Sequence, residues 1–418
     1  MFFKRVNKKF WIILLVAIIA AGISVFCYKT APEPDDLLAF YHNNANYDDL
    51  TISYPLDETL FPPEIVPPTF HWEDDNSKSN MWLVSFEFQD NNAPMNIVTR
   101  KCRWKPERQQ WETIKKRSLD RGAQVTILGI SRRLTTSVLS AGRISIKTSK
   151  DLVGAPIFYR EVNLPFVDAV KDPSNIRWRF GSISSPDSPP IILENLPVCG
   201  NCHSFDADGK TLAMDVDYAN SKASYVITQI AEQMALVTSD IITWNDYKKE
   251  DGQQTFGLLS QISPDGRYVL STVKDASVFV PKPELAFSQL FFPVKGILCV
   301  YDRKEGTFAA LPGADDPEFV QSNPSWSPDG KYIVFARARA YDLKNISGPR
   351  KILLTPEECK EFLEEGKQFL FDLYRVPFNG GRGGEPEPVQ GASNNGMSNY
   401  FAKYSPDGKW IIFCKAKS

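Results

Sequence analysis

The residues with the most chemistry in this sequence are Cys199-Gly200-Asn201-Cys202-His203. Two thiols three positions apart can reach the two vinyl groups of a haem, and the adjacent imidazole can ligate the iron from one face. That is the chemistry of covalent c-type haem attachment. With seven cysteines and three histidines in 418 residues, chance produces such a match on the order of once in a thousand chains. Three other fates fit the same residues: a Cys199–Cys202 disulfide, an unloaded motif, or a zinc site with His203. Zinc would lack a fourth ligand or a second CxxC at its usual spacing.

A haem bound there needs a sixth ligand or leaves an open position. Met397, in Asn394-Asn395-Gly396-Met397-Ser398, is the first expectation for a Met-type ligand. An open or water-filled position is the other. His42 and His71 lie far off in the sequence, and Met214 reads as core. Arg177 and Arg179 flank Trp178 and face either haem propionates or solvent. No G-x-S-x-G elbow, Walker loop or HExxH occurs, so no catalytic residues are assigned.

Covalent haem attachment takes place on the exported side of a membrane, and the N-terminus supplies export. Lys4, Arg5, Lys8 and Lys9 precede Phe10 to Tyr28, which carries no charge. Nineteen residues at ~1.5 Å each span roughly 28 Å, a bilayer's hydrocarbon thickness. The basic cluster keeps that end cytoplasmic and sends the rest outside, so residues 1–28 are expected to be a membrane anchor. A cleaved signal peptide and lipoprotein processing at Cys27 are the alternatives. Lys plus Arg is 48 and Asp plus Glu is 50, a balance that excludes a general nucleic-acid field. The partners expected are the membrane and an unidentified redox or protein partner. Cys102, Cys299, Cys359 and Cys414 read as buried structural thiols.

The elements that must position the motif are strands. Residues 29–68 are rich in Pro, Asp and Asn and read as an extended linker. Short alternating runs from 69 to 165, among them Trp82 to Phe88, Trp111-Glu112-Thr113-Ile114 and Val125 to Leu128, predict an immunoglobulin- or fibronectin-like β-sandwich.

Residues 166–418 repeat themselves. Asp208-Gly209, Asp265-Gly266, Asp329-Gly330 and Asp407-Gly408 each follow an aromatic or Ile and precede Lys or Arg and an apolar strand. Asp-Gly tolerates the positive φ of a tight turn, so each copy predicts strand–turn–strand. Aspartate spacings of 57, 64 and 78 leave room for two more strands, as in Ile297 to Asp302 with Thr307 to Leu311, and Leu373 to Phe378 with Pro388 to Gln390. Four antiparallel strands per repeat make a propeller blade. One repeat carries an insertion, where Thr355-Pro356-Glu357-Glu358 is a capping box opening a short helix.

The Ser-Pro-Asp-Gly-Lys turns, together with Leu373-Tyr374-Arg375-Val376-Pro377-Phe378-Asn379-Gly380-Gly381, resemble the TolB-type propeller repeat over residues 205 to 418. The resemblance implies a six-bladed ring, with blades beyond those visible here. Four blades, closed by strands at 176–180 and 191–194, are the alternative. Repeat alignment puts residues 199–203 in the loop entering a blade, on the same face as the loops at 256–261, 320–325 and 398–403. The expectation is therefore a mainly β, membrane-anchored, extracytoplasmic propeller protein carrying one haem c for electron transfer or redox sensing. Its alternative is a haem-free interaction scaffold of the TolB type.

Overall fold

A computed structural model describes residues 34–42, 45–131, 134–163, 168, 171–196, 200–231, 234–257, 259–281, 289–346, 355, 357–363 and 367–417. The expected anchor over 1–28, Cys27 and Cys199 lie outside the described residues. Among the described residues no helix is long and apolar enough to cross a membrane. The chain is mainly β and forms two compact units. One comprises Met1–Phe158 with Phe180–Pro190, the other Tyr159–Arg179 with Ile191–Ser418.

The first unit begins with helix α1 (Pro34–Ala39) and strands β1 (Asp48–Tyr54), β2 (Thr59–Phe61) and β3 (Phe70–Asp74). Strands β4 (Met81–Phe88), β5 (Met95–Thr99) and β6 (Arg103–Trp104) follow, then helix α2 (Arg108–Arg117), β7 (Ala123–Ser131) and β8 (Leu134–Thr148). They join in one eight-stranded sheet ordered β5-β4-β7-β8-β1-β3-β6, with β2 beside β8. This corrects two expectations. The strands join in one continuous sheet that curls over on itself, Phe70 of β3 meeting Phe86 of β4 at 5.5 Å, rather than in two separate sheets, and residues 48–61 are part of it rather than of a linker. The alternation Leu50, Ile52 on β1 buries that strand against the core despite its polar surroundings.

The run at Trp111 is helix, not strand. Trp111, Ile114 and Lys115 are buried at helical spacing, the Glu107 N–H donates to Gln110 Oε1 at 2.9 Å, and Lys115, Lys116 and Arg117 complement the C-terminal dipole. Trp111 meets Phe61 edge-on at 5.1 Å and donates its indole N–H to the Ile65 carbonyl at 2.9 Å.

The second unit is a succession of antiparallel meanders. Strands β9 (Ile157–Glu161), β10 (Arg177–Gly181) and β11 (Ile191–Leu193) form a three-stranded sheet. Four strands follow in order as one sheet: β12 (Gly200–Phe205), β13 (Thr211–Tyr218), β14 (Ser221–Gln229) and β15 (Ile241–Thr243). Next come β16 (Gln261–Ile262), β17 (Tyr268–Pro281), β18 (Gln289–Asp302) and β19 (Thr307–Ala310). The third set is β20 (Phe319–Trp326), β21 (Tyr332–Arg339), β22 (Asp372–Pro377) and β23 (Glu387–Pro388), with helix α3 (Lys360–Leu363) inserted before β22. Finally β24 (Ser398–Tyr404) pairs with β25 (Ile411–Ala416).

The first strands of these sets neighbour one another in order: β12 by β16, β16 by β20, β20 by β24. Apolar layers fill the gaps between consecutive sets, the second and third of which are also joined by a parallel pairing of Gly296 with Val320. Ala213, Tyr225 and Trp244 pack on Val269 and Cys299, Leu270 and Val300 on Trp326 and Phe335, and Val334 and Leu373 on Ala402 and Ile411. Meanders stacked face to face through their first strands make a propeller-like arrangement. The strands at 176–180 and 191–194 do not complete the β24–β25 sheet; β10 and β11 pair with each other, and β9 completes their own sheet.

All four Asp-Gly turns adopt one geometry. Gly209, Gly266, Gly330 and Gly408 have φ between 68° and 71°, where a side chain would be strained. Ser263, Ser327 and Ser405 each donate to the turn aspartate, which in turn accepts from the backbone N–H two residues on. These hydrogen bonds, led by that from Ser405, hold Asp407 down to about 2. The turn aspartates are structural. In the insertion, Thr355 and Glu358 exchange the reciprocal hydrogen bonds of the capping box.

Candidate functional site

A β-strand alternates its side chains, so residues three apart should face opposite ways. Strand β12 breaks that rule. Gly200 pairs with Val216 and His203 with Met214, so three steps on β12 match two on β13. One extra residue is bulged out between them, and positions three apart return to the same face. The CxxCH motif was expected in a loop; from Gly200 onward it is strand, interrupted by this bulge.

The neighbouring sheets are disturbed at the same place. Register shifts fall between Ser322 and Ser325 on β20 and between Tyr400 and Lys403 on β24. Leu259, Asn323 and Phe401 are left-handed, with φ of 69°, 53° and 54°. Each stands six residues before the aspartate of its Asp-Gly turn, and Cys202 stands at the same offset from Asp208. Together these four residues line one cavity of about 360 Å³. Asn201, His203, Arg160, Gln261 and Lys403 complete its polar lining, with Pro324 and Ala402 adding apolar wall. The segments at 256–261, 320–325 and 398–403 thus each contribute to the cavity that holds Cys202 and His203, although 320–325 lies within β20 and 398–403 within β24 rather than in the loops expected.

Arg160 on β9 fixes the bulge. Its guanidinium donates to the Gly200 carbonyl at 3.0 Å and to Asn201 Oδ1 at 2.7 Å. Gly200 itself has no room for a side chain, since a Cβ would lie 2.5 Å from Trp178 Cη2. Across the mouth, Lys403 Nζ donates to Gln261 Oε1 at 2.8 Å.

Beneath the cavity lies a buried polar layer. Asp215 sits between the register partners of Gly200 and His203 and is almost fully enclosed. Its Oδ2 accepts from the Leu259 N–H at 3.0 Å, and burial pushes the carboxyl up to about 8. Ser204 and Tyr225 hydroxyls meet at 3.0 Å, and the Ile262 N–H donates to Ser204 at 3.1 Å. Cys202 is a free thiol pushed up to about 11, first by burial and then by Asp215. Partial desolvation pulls Lys403 below the ordinary lysine value even though its side chain remains accessible.

Other expected residues fall elsewhere. Met397 is not part of the cavity wall; it immediately precedes β24, whose other end carries Phe401 and Lys403. Arg177 and Arg179 both pair with Glu161 of the adjacent strand. Met214 is buried, opposite His203. His42 and His71 belong to the first unit. Cys299 and Cys359 are buried as expected, but Cys102 and Cys414 are exposed. Cys414 stands on β25, an outer strand that no further strand covers among the described residues.

Arg160, Asp215 and Lys403 were not singled out by the sequence. The shared six-residue offset was readable and would have found Leu259, Asn323 and Phe401.

The sequence matches no family model and no curated protein. Among solved structures the chain is similar to an oligogalacturonate lyase from Vibrio parahaemolyticus, at 15% identity over 63% of this chain and 54% of that one, with a TM-score of 0.34. The chain spans about half the length of that lyase. A DUF4784 family protein from Bacteroides caccae aligns at 8% identity over 82% of this chain and 96% of its own, with a TM-score of 0.22. A 1.5-MDa bacterial ice-binding adhesin aligns at 8% over 89% and 97%, with a TM-score of 0.18. These likenesses carry no chemistry to this chain.

Proposed function

We propose that this chain is a membrane-anchored, extracytoplasmic β-propeller protein that binds one covalent haem c at Cys199, Cys202 and His203 and serves electron transfer or redox sensing. The observation that carries the reading is the meeting of Cys202 and His203 on one cavity, at a bulge shared by the neighbouring sheets.

The lining suits the group. Leu259, Pro324, Phe401 and Ala402 offer apolar contact for a porphyrin, and Arg160 supplies positive charge beside it. Cys199 and Cys202 would hold the group as thioethers, each S–H adding across a vinyl C=C bond with no leaving group. The product is a neutral thioether, which avoids the cost of a thiolate where Cys202 sits. When bound, haem supplies a one-electron couple at its iron. His203 would ligate that iron. The basic cluster before the apolar run at 10–28 supports the exported topology.

The test is to express the exported chain with haem-maturation machinery and record a pyridine haemochrome spectrum with an intact mass. A c-type spectrum and one added haem support the reading. A colourless protein whose mass is two hydrogens below the reduced chain favours the disulfide scaffold instead.

A further inference from the structure

The cavity that holds Cys202 and His203 offers iron very few donors. Arg160 carries a guanidinium that stays protonated and is committed to the Gly200 carbonyl and Asn201. Asn201, Gln261 and Asn323 present amides, which are weak donors to haem iron. Met397, the thioether expected from the sequence, is not on the wall. That leaves Lys403.

Lys403 reaches the cavity from β24, next to the left-handed Phe401. Its Nζ is hydrogen-bonded to Gln261 Oε1 at 2.8 Å, a neutral acceptor that it can leave. Its side chain is accessible and flexible enough to swing toward a ligand in the cavity.

We infer that Lys403 would supply a nitrogen ligand to the iron in addition to His203, in place of a methionine. The inference rests on the haem reading above. On ligation the ammonium releases its proton to solvent and the amine lone pair forms the Nζ–Fe bond, with no change in the oxidation state of the iron. A second nitrogen donor would give a lower potential than a thioether, which places the protein toward the reducing end of c-type carriers.

The experiment compares the ferric absorption and electron paramagnetic resonance spectra of the haem-loaded exported chain with those of three variants. The wild type is expected to be low-spin without a methionine–iron charge-transfer band. Lys403→Ala should convert most of the iron to high-spin, and Met397→Leu should leave the spectrum unchanged. Lys403→Met should restore a low-spin site and introduce the methionine band, a gain of signal that a misfolded variant would not give. A high-spin wild type overturns the inference, as does a low-spin spectrum that survives Lys403→Ala or collapses in Met397→Leu. Haem retained with any of those spectra leaves the haem reading standing while Lys403 falls. Absence of covalent haem from the wild type overturns the haem reading itself, and the ligand assignment with it.

Discussion

The backbone N–H of Leu259 donates to Asp215 Oδ2 at 3.0 Å, joining the entry to β16 to strand β13 of the preceding sheet. The Phe256 N–H likewise donates to Asp275 Oδ1 at 2.8 Å, from β17. Two buried carboxyls therefore hold the segment that presents Leu259 to the cavity.

These carboxyls make stability depend on pH. Burial raises Asp215 to about 8 and Asp275 to about 6, against about 3.9 in an unfolded chain. Between those values the folded state holds protons that the unfolded state has lost, so stability falls as pH rises from about 4 to about 8. Asp215→Asn should match wild type near pH 4 and exceed it by more than ~1 kcal/mol at pH 8. Urea unfolding at the two pH values checks this, and parallel wild-type and variant curves would refute it.

Gly200 is the first variable position of the CxxCH motif, yet it is not free to vary. A Cβ there would stand 2.5 and 2.8 Å from two atoms of the buried Trp178 ring. Gly200→Ala should cost about 1–3 kcal/mol through overpacking, measured by chemical denaturation. Gly200→Ala combined with Trp178→Phe should recover part of the loss.

Arg160 holds the bulge through two hydrogen bonds. Arg160→Met keeps the aliphatic stem and removes both donors. Amide exchange at residues 200–203 should accelerate roughly tenfold or more, while exchange in β17 and β18 stays unchanged. Uniform acceleration across the second unit would indicate global destabilisation instead.

In the first unit, Trp111 fills the core beneath the curved sheet and satisfies the Ile65 carbonyl. Trp111→Ala should destabilise that unit by about 3–5 kcal/mol, read as a lowered urea midpoint. A loss under 1 kcal/mol would show that the helix is peripheral.

The legible parts of this chain were those with an obligatory backbone chemistry. Asp-Gly turns announce themselves because Gly must take positive φ, and Gly209, Gly266, Gly330 and Gly408 all do. The strands on either side followed, as did the capping box at Thr355 and Glu358. A bulge has no such signature: one inserted residue in Asn201-Cys202 changes which face a side chain occupies without changing composition. Lys403 and Asp215 meet the motif only through that geometry, so neither was visible. The helix at Trp111 was hidden because Trp-Glu-Thr-Ile alternates like a strand, while its helical spacing emerges only when Lys115 is counted as buried. Strand β1 was masked by flanking Asp and Pro, although Leu50 and Ile52 alternate as an inward face should.

The account stands on haem at Cys202 and His203. Its most direct test is peptide mapping of the exported chain, matured with haem-attachment machinery, by mass spectrometry. The account predicts that the peptide spanning residues 199–203 carries the mass of one haem, and that Cys202→Ala removes most of that adduct. The same peptide recovered without haem, as free thiols or as a Cys199–Cys202 disulfide, would contradict it.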